Sequence, residues 1–168
     1  TAYREAGSFA QSNAAAQSDK ALKEQLLAIQ GRSQLSQGEA LLKAENWTEA
    51  RRFFEQVAQS ANATPTVVAG ALCGIGEVLL SEEKFHDAYH QFALVRVNHY
   101  LSRNETARAT YFMGICCGKD SKEPNGKRKA NDYFKEVADR YADAVWADRA
   151  RSKMRERPAP RVRFSNSK

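Results

Sequence analysis

His86 and His90 are the two residues whose spacing comes nearest to a chemical motif in this sequence of 168 residues. In a helix, a separation of four residues places both imidazoles on one face, an arrangement that a metal ion can use. The sequence shows no third ligand next to the pair, and a solvated helix face accounts for it as well. We therefore predict no metal ion and no cofactor.

The cysteines are Cys73, Cys116 and Cys117, an odd number that argues against a disulfide framework. The adjacent pair Cys116 and Cys117 could be a redox pair, but free cysteines are more often small buried residues, and we favour that interpretation. No glycine-rich phosphate loop, Ser–His–Asp set or paired-carboxylate signature stands out. We predict that the protein is not an enzyme.

The elements that would position these residues are helices, and they form a repeat. Gly38, Gly76 and Gly114 are spaced 38 residues apart in apolar stretches with helical periodicity. Each is followed by an Ala, a Phe four residues later and a Val three residues after that, which share one helix face. These trios are Ala50, Phe54 and Val57; Ala88, Phe92 and Val95; and Ala130, Phe134 and Val137. The third copy has four more residues, in a turn-rich loop at 118–126.

Two antiparallel helices per unit would leave an apolar face that only stacking with neighbouring units can bury. The sequence therefore predicts an all-α fold with one helical domain over 18–156. It contains a separate N-terminal helix at Ser18–Gln30, units at about 32–63, 66–103 and 105–142, and a capping helix at 144–156. Residues 1–17 are predicted to be a flexible N-terminal segment and 157–168 a basic C-terminal tail.

The repeat resembles that of the tetratricopeptide-repeat (TPR) family. The matching residues are Gly38, Gly76 and Gly114 on the first helices, with Ala50, Phe54, Ala88, Phe92, Ala130 and Phe134 on the second helices. This resemblance implies a right-handed solenoid whose concave face, built by the first helices, binds a partner peptide or helix. The side chains it assigns to that face are Arg32, Leu35, Glu39, Cys73, Glu77, Arg108 and Tyr111.

Residues 133–151 are similar to the repeat endings of bacterial envelope TPR proteins, including outer-membrane-assembly lipoproteins and Tol–Pal-associated factors. Ala142 stands where those proteins have Pro. The similarity implies a bacterial periplasmic or cell-envelope location, with a cytoplasmic one as the alternative. We expect a non-catalytic protein–protein interaction scaffold, a subunit or adaptor of a larger multiprotein assembly.

The net charge of +6 lies entirely in the last 50 residues, where 15 Lys and Arg face 8 Asp and Glu. A contact with nucleic acid or an anionic membrane surface through this basic region is the alternative function. A solvated cap and tail is the simpler interpretation, and nucleic acid is the least favoured partner. The longest run without a charged or strongly polar side chain, 67–76, is about half of what a membrane span needs. We therefore predict no transmembrane segment and keep peripheral membrane association as an option. The tail side chains concerned are Arg155, Arg157, Arg161 and Arg163.

Overall fold

The computed structural model describes residues 3–9 and 20–156. Within these ranges the chain forms eight helices and no strands, which confirms the all-α prediction. The helices are α1 (residues 3–9), α2 (Lys20–Lys43), α3 (Trp47–Ala58), α4 (Pro65–Ser81), α5 (Phe85–Asn98), α6 (Arg103–Lys119), α7 (Gly126–Arg140) and α8 (Val145–Arg155).

The turns that join α2 to α3 and α4 to α5 are built alike. Glu45 and Glu83, 38 residues apart, both adopt a left-handed backbone with φ of 58° and 59°. In each turn the next residue donates its N–H back into the preceding helix, Asn46 to the Leu41 carbonyl at 3.1 Å and Lys84 to the Leu79 carbonyl at 2.9 Å. These bonds satisfy carbonyls that the helix end would leave without partners.

The helices from α2 onward pack in two sets. Each one contacts the next in the chain, and α2, α4, α6 and α8 also contact one another in that order. In the described part of the chain, α3, α5 and α7 contact members of the even-numbered set and not each other. The side chains of α2, α4 and α6 therefore meet along one surface.

The predicted glycine and phenylalanine positions meet in the core, at the same place in each helix pair. A Cβ atom at Gly38 would lie 2.5 Å from the Phe54 ring, one at Gly76 2.6 Å from Phe92, and one at Gly114 2.7 Å from Phe134. Glycine is required there because the two helices cross at the ring. The shared apolar face is confirmed, since all nine residues of the Ala, Phe and Val trios are buried.

The predicted N-terminal boundaries need correction. A separate helix at Ser18–Gln30 is wrong, because α2 runs from Lys20 through Gly31 to Lys43 without a break. Gly31 does not end the helix, and its missing side chain leaves room for Val67 of α4. The first predicted unit, at 32–63, thus starts inside a helix.

Part of the segment 1–17 is helical. Residues 3–9 form α1, which contacts Ser33 of α2 at two points. Gly7 is buried beside Ser33, and the Tyr3 carbonyl accepts a hydrogen bond from the Ser33 hydroxyl. Residues 10–17, like the tail 157–168, lie outside the described residues. Among the described helices none combines the length and apolar character of a membrane span, as predicted.

Candidate protein-interaction site

Three helices bring Glu39, Glu77 and Arg108 together on the surface of the even-numbered set. Arg108 of α6 donates from Nε to Glu77 Oε1 of α4 at 2.6 Å, and its Nη2 lies 3.1 Å from Glu39 Oε1 of α2. Glu39 and Glu77 each follow a repeat glycine. Because the glycine faces the phenylalanine of its own pair, the next residue is turned toward the neighbouring even-numbered helix.

Arg108 is 8% exposed and is the centre of the cluster. A third carboxylate, Glu105 Oε2, lies 3.7 Å from Arg108 Nη1 and accepts no hydrogen bond. Burial raises the pKa of the Glu77 and Glu105 carboxyls, and the nearby guanidinium opposes that rise. Burial acts against the charge of Arg108, but the carboxylates, Glu77 foremost, raise its pKa so that it stays a cation.

Cys73 lies beneath this cluster and is fully buried. Its Sγ donates to the Glu105 carbonyl at 3.6 Å, and burial raises the pKa of the thiol well above its ordinary value. The thiol therefore stays protonated, so Cys73 supports the site as a small buried residue rather than as a nucleophile.

An open cavity of about 260 Å³ lies over the cluster. Trp146 of α8 lines one side of the cavity. The guanidinium carbon of Arg149 lies 4.5 Å from the Trp146 ring centroid, and that of Arg108 lies 5.8 Å from it. The surface thus offers carboxylates, cations and an indole within one cavity. Its lining residues are Glu39, Leu42, Lys43, Glu77, Glu105, Arg108, Trp146 and Arg149.

No known protein family, curated protein or solved structure matches this chain. The function must therefore be argued from the geometry of its own residues.

Four of the seven predicted face residues lie away from the cavity lining. Cys73 is beneath it, and Leu35 packs into the core, next to Gly70. Tyr111 is buried, with its ring 5.4 Å from those of Phe134 and Trp146. Arg32 is exposed on α2. Glu39, Glu77 and Arg108 are the three that line the cavity.

The sequence analysis did not find Lys43, Glu105, Trp146 and Arg149 as parts of this site. Trp146 and Arg149 come from α8, and their approach to α6 depends on how the last helix packs, for which the repeat pattern gives no signal. Glu105 lies three residues before Arg108, a helical spacing that could have suggested an ion pair.

The basic region is only partly described. Arg155 is exposed in the last turn of α8, whereas Arg157, Arg161 and Arg163 lie outside the described residues. Two of the four positive side chains of α8 have local ion-pair partners: Arg151 pairs with Asp148 at 2.8 Å and Lys153 with Glu156 at 2.8 Å. Contact with nucleic acid or an anionic surface stays a prediction.

Proposed function

We propose that this protein is a non-catalytic interaction scaffold of the TPR type, which binds a partner peptide or helix through the surface formed by α2, α4 and α6. The observation that carries the proposal is the convergence of Glu39, Glu77 and Arg108 from three successive even-numbered helices around one open cavity. A binding surface assembled from successive repeats is how solenoid proteins use their architecture.

The TPR assignment is supported by the glycine–phenylalanine contact that recurs in the pairs α2–α3, α4–α5 and α6–α7. The helix pairs at 65–98 and 103–140 overlap the second and third predicted units, 66–103 and 105–142, with each end shifted by five residues or fewer. In this assignment α8 is the capping helix, and the even-numbered helices line the concave face of a right-handed solenoid.

The chemistry of the cavity favours a polar segment over an apolar one. The three carboxylates exceed the charge of Arg108, while Lys43 and Arg149 add two cations at the same cavity. An extended peptide can satisfy both signs, with its own charged side chains or with its backbone N–H and C=O groups. The Trp146 indole adds an aromatic surface for packing.

The place of such a scaffold in the cell rests on the similarity of residues 133–151 to bacterial envelope repeats. We propose a subunit or adaptor of a bacterial envelope assembly, with a cytoplasmic assembly as the alternative. Fractionation of the native bacterium, with the full gene product detected by antibody, separates the two locations.

Site-specific photocross-linking tests the binding surface. Benzoylphenylalanine at Lys43, on the cavity, should cross-link one defined partner in the native bacterium, and the same group at Lys135, exposed on α7, should not. Equal cross-linking at both positions, or cross-linking at Lys135 alone, would show that the partner does not bind this surface.

Charge reversal provides the matched quantitative control. Glu39→Lys changes a carboxylate of the cavity, whereas Glu55→Lys changes an exposed carboxylate on α3. We expect Glu39→Lys to weaken binding of the cross-linked partner by about tenfold or more, as for a polar contact at an interface, and Glu55→Lys to leave it unchanged. Equal effects of the two variants would contradict the proposal.

A further inference from the structure

The outer face of the first helix pair, α2 and α3, differs from the same face of the later pairs. Val78 of α4 is fully buried in one core cluster with Phe54 of the preceding pair, and Cys116 of α6 is buried in one with Phe92. Ala40 occupies the equivalent position on α2 and is exposed. Within the described residues no helix pair precedes α2, so the first pair keeps a stacking face that the repeat covers elsewhere.

The short helix α1 covers only part of this face. Beside it an open cavity of about 570 Å³ remains between α1, α2 and α3. Ala40 and Leu41 of α2 and Phe53 of α3 give this cavity an apolar lining. The cavity therefore offers space and apolar surface to a side chain that enters from outside the fold.

α1 forms a ridge along the edge of the cavity and exposes two aromatic rings. Tyr3 lines the cavity and is 59% exposed, and Phe9 at the other end of α1 is 67% exposed. Aromatic side chains bury large areas and commonly anchor protein interfaces. A ridge and a cavity on the same face are self-complementary, because a two-fold axis places the ridge of each copy over the cavity of the other.

The charges on this face are also of both signs. Arg4 of α1 and Arg52 of α3 line the cavity together with Glu49. The Glu49 Oε2 atom accepts a hydrogen bond from Asn46 Nδ2 at 2.7 Å, so this carboxylate is held in place. In a two-fold contact the arginines of one copy meet the glutamate of the other. The same face on a second copy therefore provides the charge complementarity that such a contact needs.

The opposite end of the stack does not suit this cavity. Most exposed side chains of the last helix, α8, are polar; these are Asp148, Arg149, Ser152 and Arg155. An end-to-end contact between copies would set these groups against the apolar lining of the cavity and desolvate them. The face of α1, α2 and α3 thus matches its own copy better than it matches α8.

We propose that two copies of this chain associate head to head through the outer face of α1, α2 and α3, with Tyr3 of each copy inserted into the cavity of the other. The contact is closed by its two-fold symmetry, so it stops at the dimer. It does not use the cavity around Arg108, and either surface can fail without the other.

Sedimentation velocity of the full, untagged chain at about 1–100 µM tests the contact. We expect the mass to rise from 18.8 kDa to twice that value. Tyr3→Ala should weaken the dimer by about tenfold or more, because it removes the aromatic anchor. Tyr100→Ala is the matched control, since Tyr100 is 68% exposed in the turn after α5 and should leave the dimer unchanged.

Ala40→Arg provides a second variant on the cavity side of the contact. Ala40 is exposed, so the monomer accommodates the larger side chain, whereas the dimer would have to bury an additional cation in each cavity. We expect Ala40→Arg to leave the helical circular dichroism signal unchanged and to shift the protein to monomer. Ala142→Arg, at an exposed alanine in the turn before α8, should leave the dimer intact.

Four results would overturn the proposal. The first is a monomer over the whole concentration range, and the second is growth beyond the dimer, which a closed contact forbids. The third is a dimer that withstands either Tyr3→Ala or Ala40→Arg. The fourth is an equal loss with Tyr100→Ala, which would place the contact at the turn between α5 and α6.

Discussion

Two regions of the molecule reverse the usual distribution of polar and apolar side chains. Where α2, α4 and α6 meet, Arg108 is buried with the carboxylates of Glu77 and Glu105 packed around it. At the end of α5 and in the following turn, large apolar side chains are exposed instead, with Leu101 83% exposed. The others are Leu94, Val97 and Tyr100.

The two regions differ in the contacts that stabilise them. The buried charges are tolerated because they find partners on other helices, so their stability comes from tertiary contacts. The exposed apolar residues share α5 with the fully buried Phe92 and Val95, which hold the helix in place. On α5 the apolar character of a side chain therefore does not reveal whether it contributes to the core.

The largest expected effect is in the buried cluster. Arg108→Ala should lower the free energy of unfolding by about 3–5 kcal/mol, because Glu77 would remain buried without its cation. Urea denaturation measures the change. The double variant Arg108→Met, Glu77→Leu removes the unpaired buried carboxylate, so it should recover at least half of the unfolding free energy that Arg108→Ala loses. A double variant as unstable as Arg108→Ala would mean that packing of the arginine stem, not charge, holds the helices together.

Two valine substitutions compare how the buried and exposed sides of α5 contribute to stability. Val95→Ala should cost about 2 kcal/mol, because Val95 is fully buried and two methyl groups and their contacts are lost. Val97→Ala should change the free energy of unfolding by less than about 0.5 kcal/mol, since Val97 is 71% exposed. Both changes in unfolding free energy are measured from the shift of the urea midpoint, provided that the dependence of the free energy on urea concentration is the same as in the wild type. Similar losses would show that the exposed residues are covered, for example by self-association.

The pH dependence of the buried cluster should give a smaller effect. Folding raises the pKa of the Glu105 carboxyl above its ordinary value of 4.5, chiefly through burial. The stability that this group contributes is complete below pH 4.5 and is lost as pH rises through the folded pKa. Glu105→Gln keeps a neutral side chain, so it should become more stable relative to the wild type as pH rises. A constant or falling difference between pH 4 and pH 8 would contradict the pKa shift.

The smallest effect is expected for an exposed ion pair, with the opposite sign. The side-chain hydrogen bond from Arg103 lowers the pKa of Asp143, so its contribution is present above its ordinary value of 3.8 and is lost as pH falls. Asp143→Asn should therefore become slightly less stable relative to the wild type as pH rises through this range. At neutral pH and high salt, the urea midpoints of the two proteins should coincide, because solvent and salt screen the pair.

The sequence predicted the helical framework well because the framework depends on local patterns. Gly38, Gly76 and Gly114 occur at fixed spacing, and the trios such as Ala88, Phe92 and Val95 share one helix face by the geometry of 3.6 residues per turn. Prediction failed at Gly31, because whether a glycine ends a helix or permits a close crossing depends on what packs against it, here Val67.

The candidate site was predicted in part for a similar reason. Glu39 and Glu77 share a repeat position, so the sequence placed them on one surface. Side-chain rotamers and helix crossing decide the remaining contacts. These are the ion pairs of both glutamates with Arg108, the approach of Trp146 from α8, and the distance between His86 Nε2 and His90 Nε2. No spacing in a sequence specifies these.

The sequence by itself determined which residues form helices and which helix faces are apolar, because both follow from propensity and periodicity along one chain. The tertiary structure alone decided that the Arg108 guanidinium is buried against the carboxylates of Glu77 and Glu105, with Glu39 at the edge of the cluster, while leucine and valine side chains face water. The physical reason is that burial and charge pairing are properties of contacts between helices, and those contacts exist only once the helices have packed.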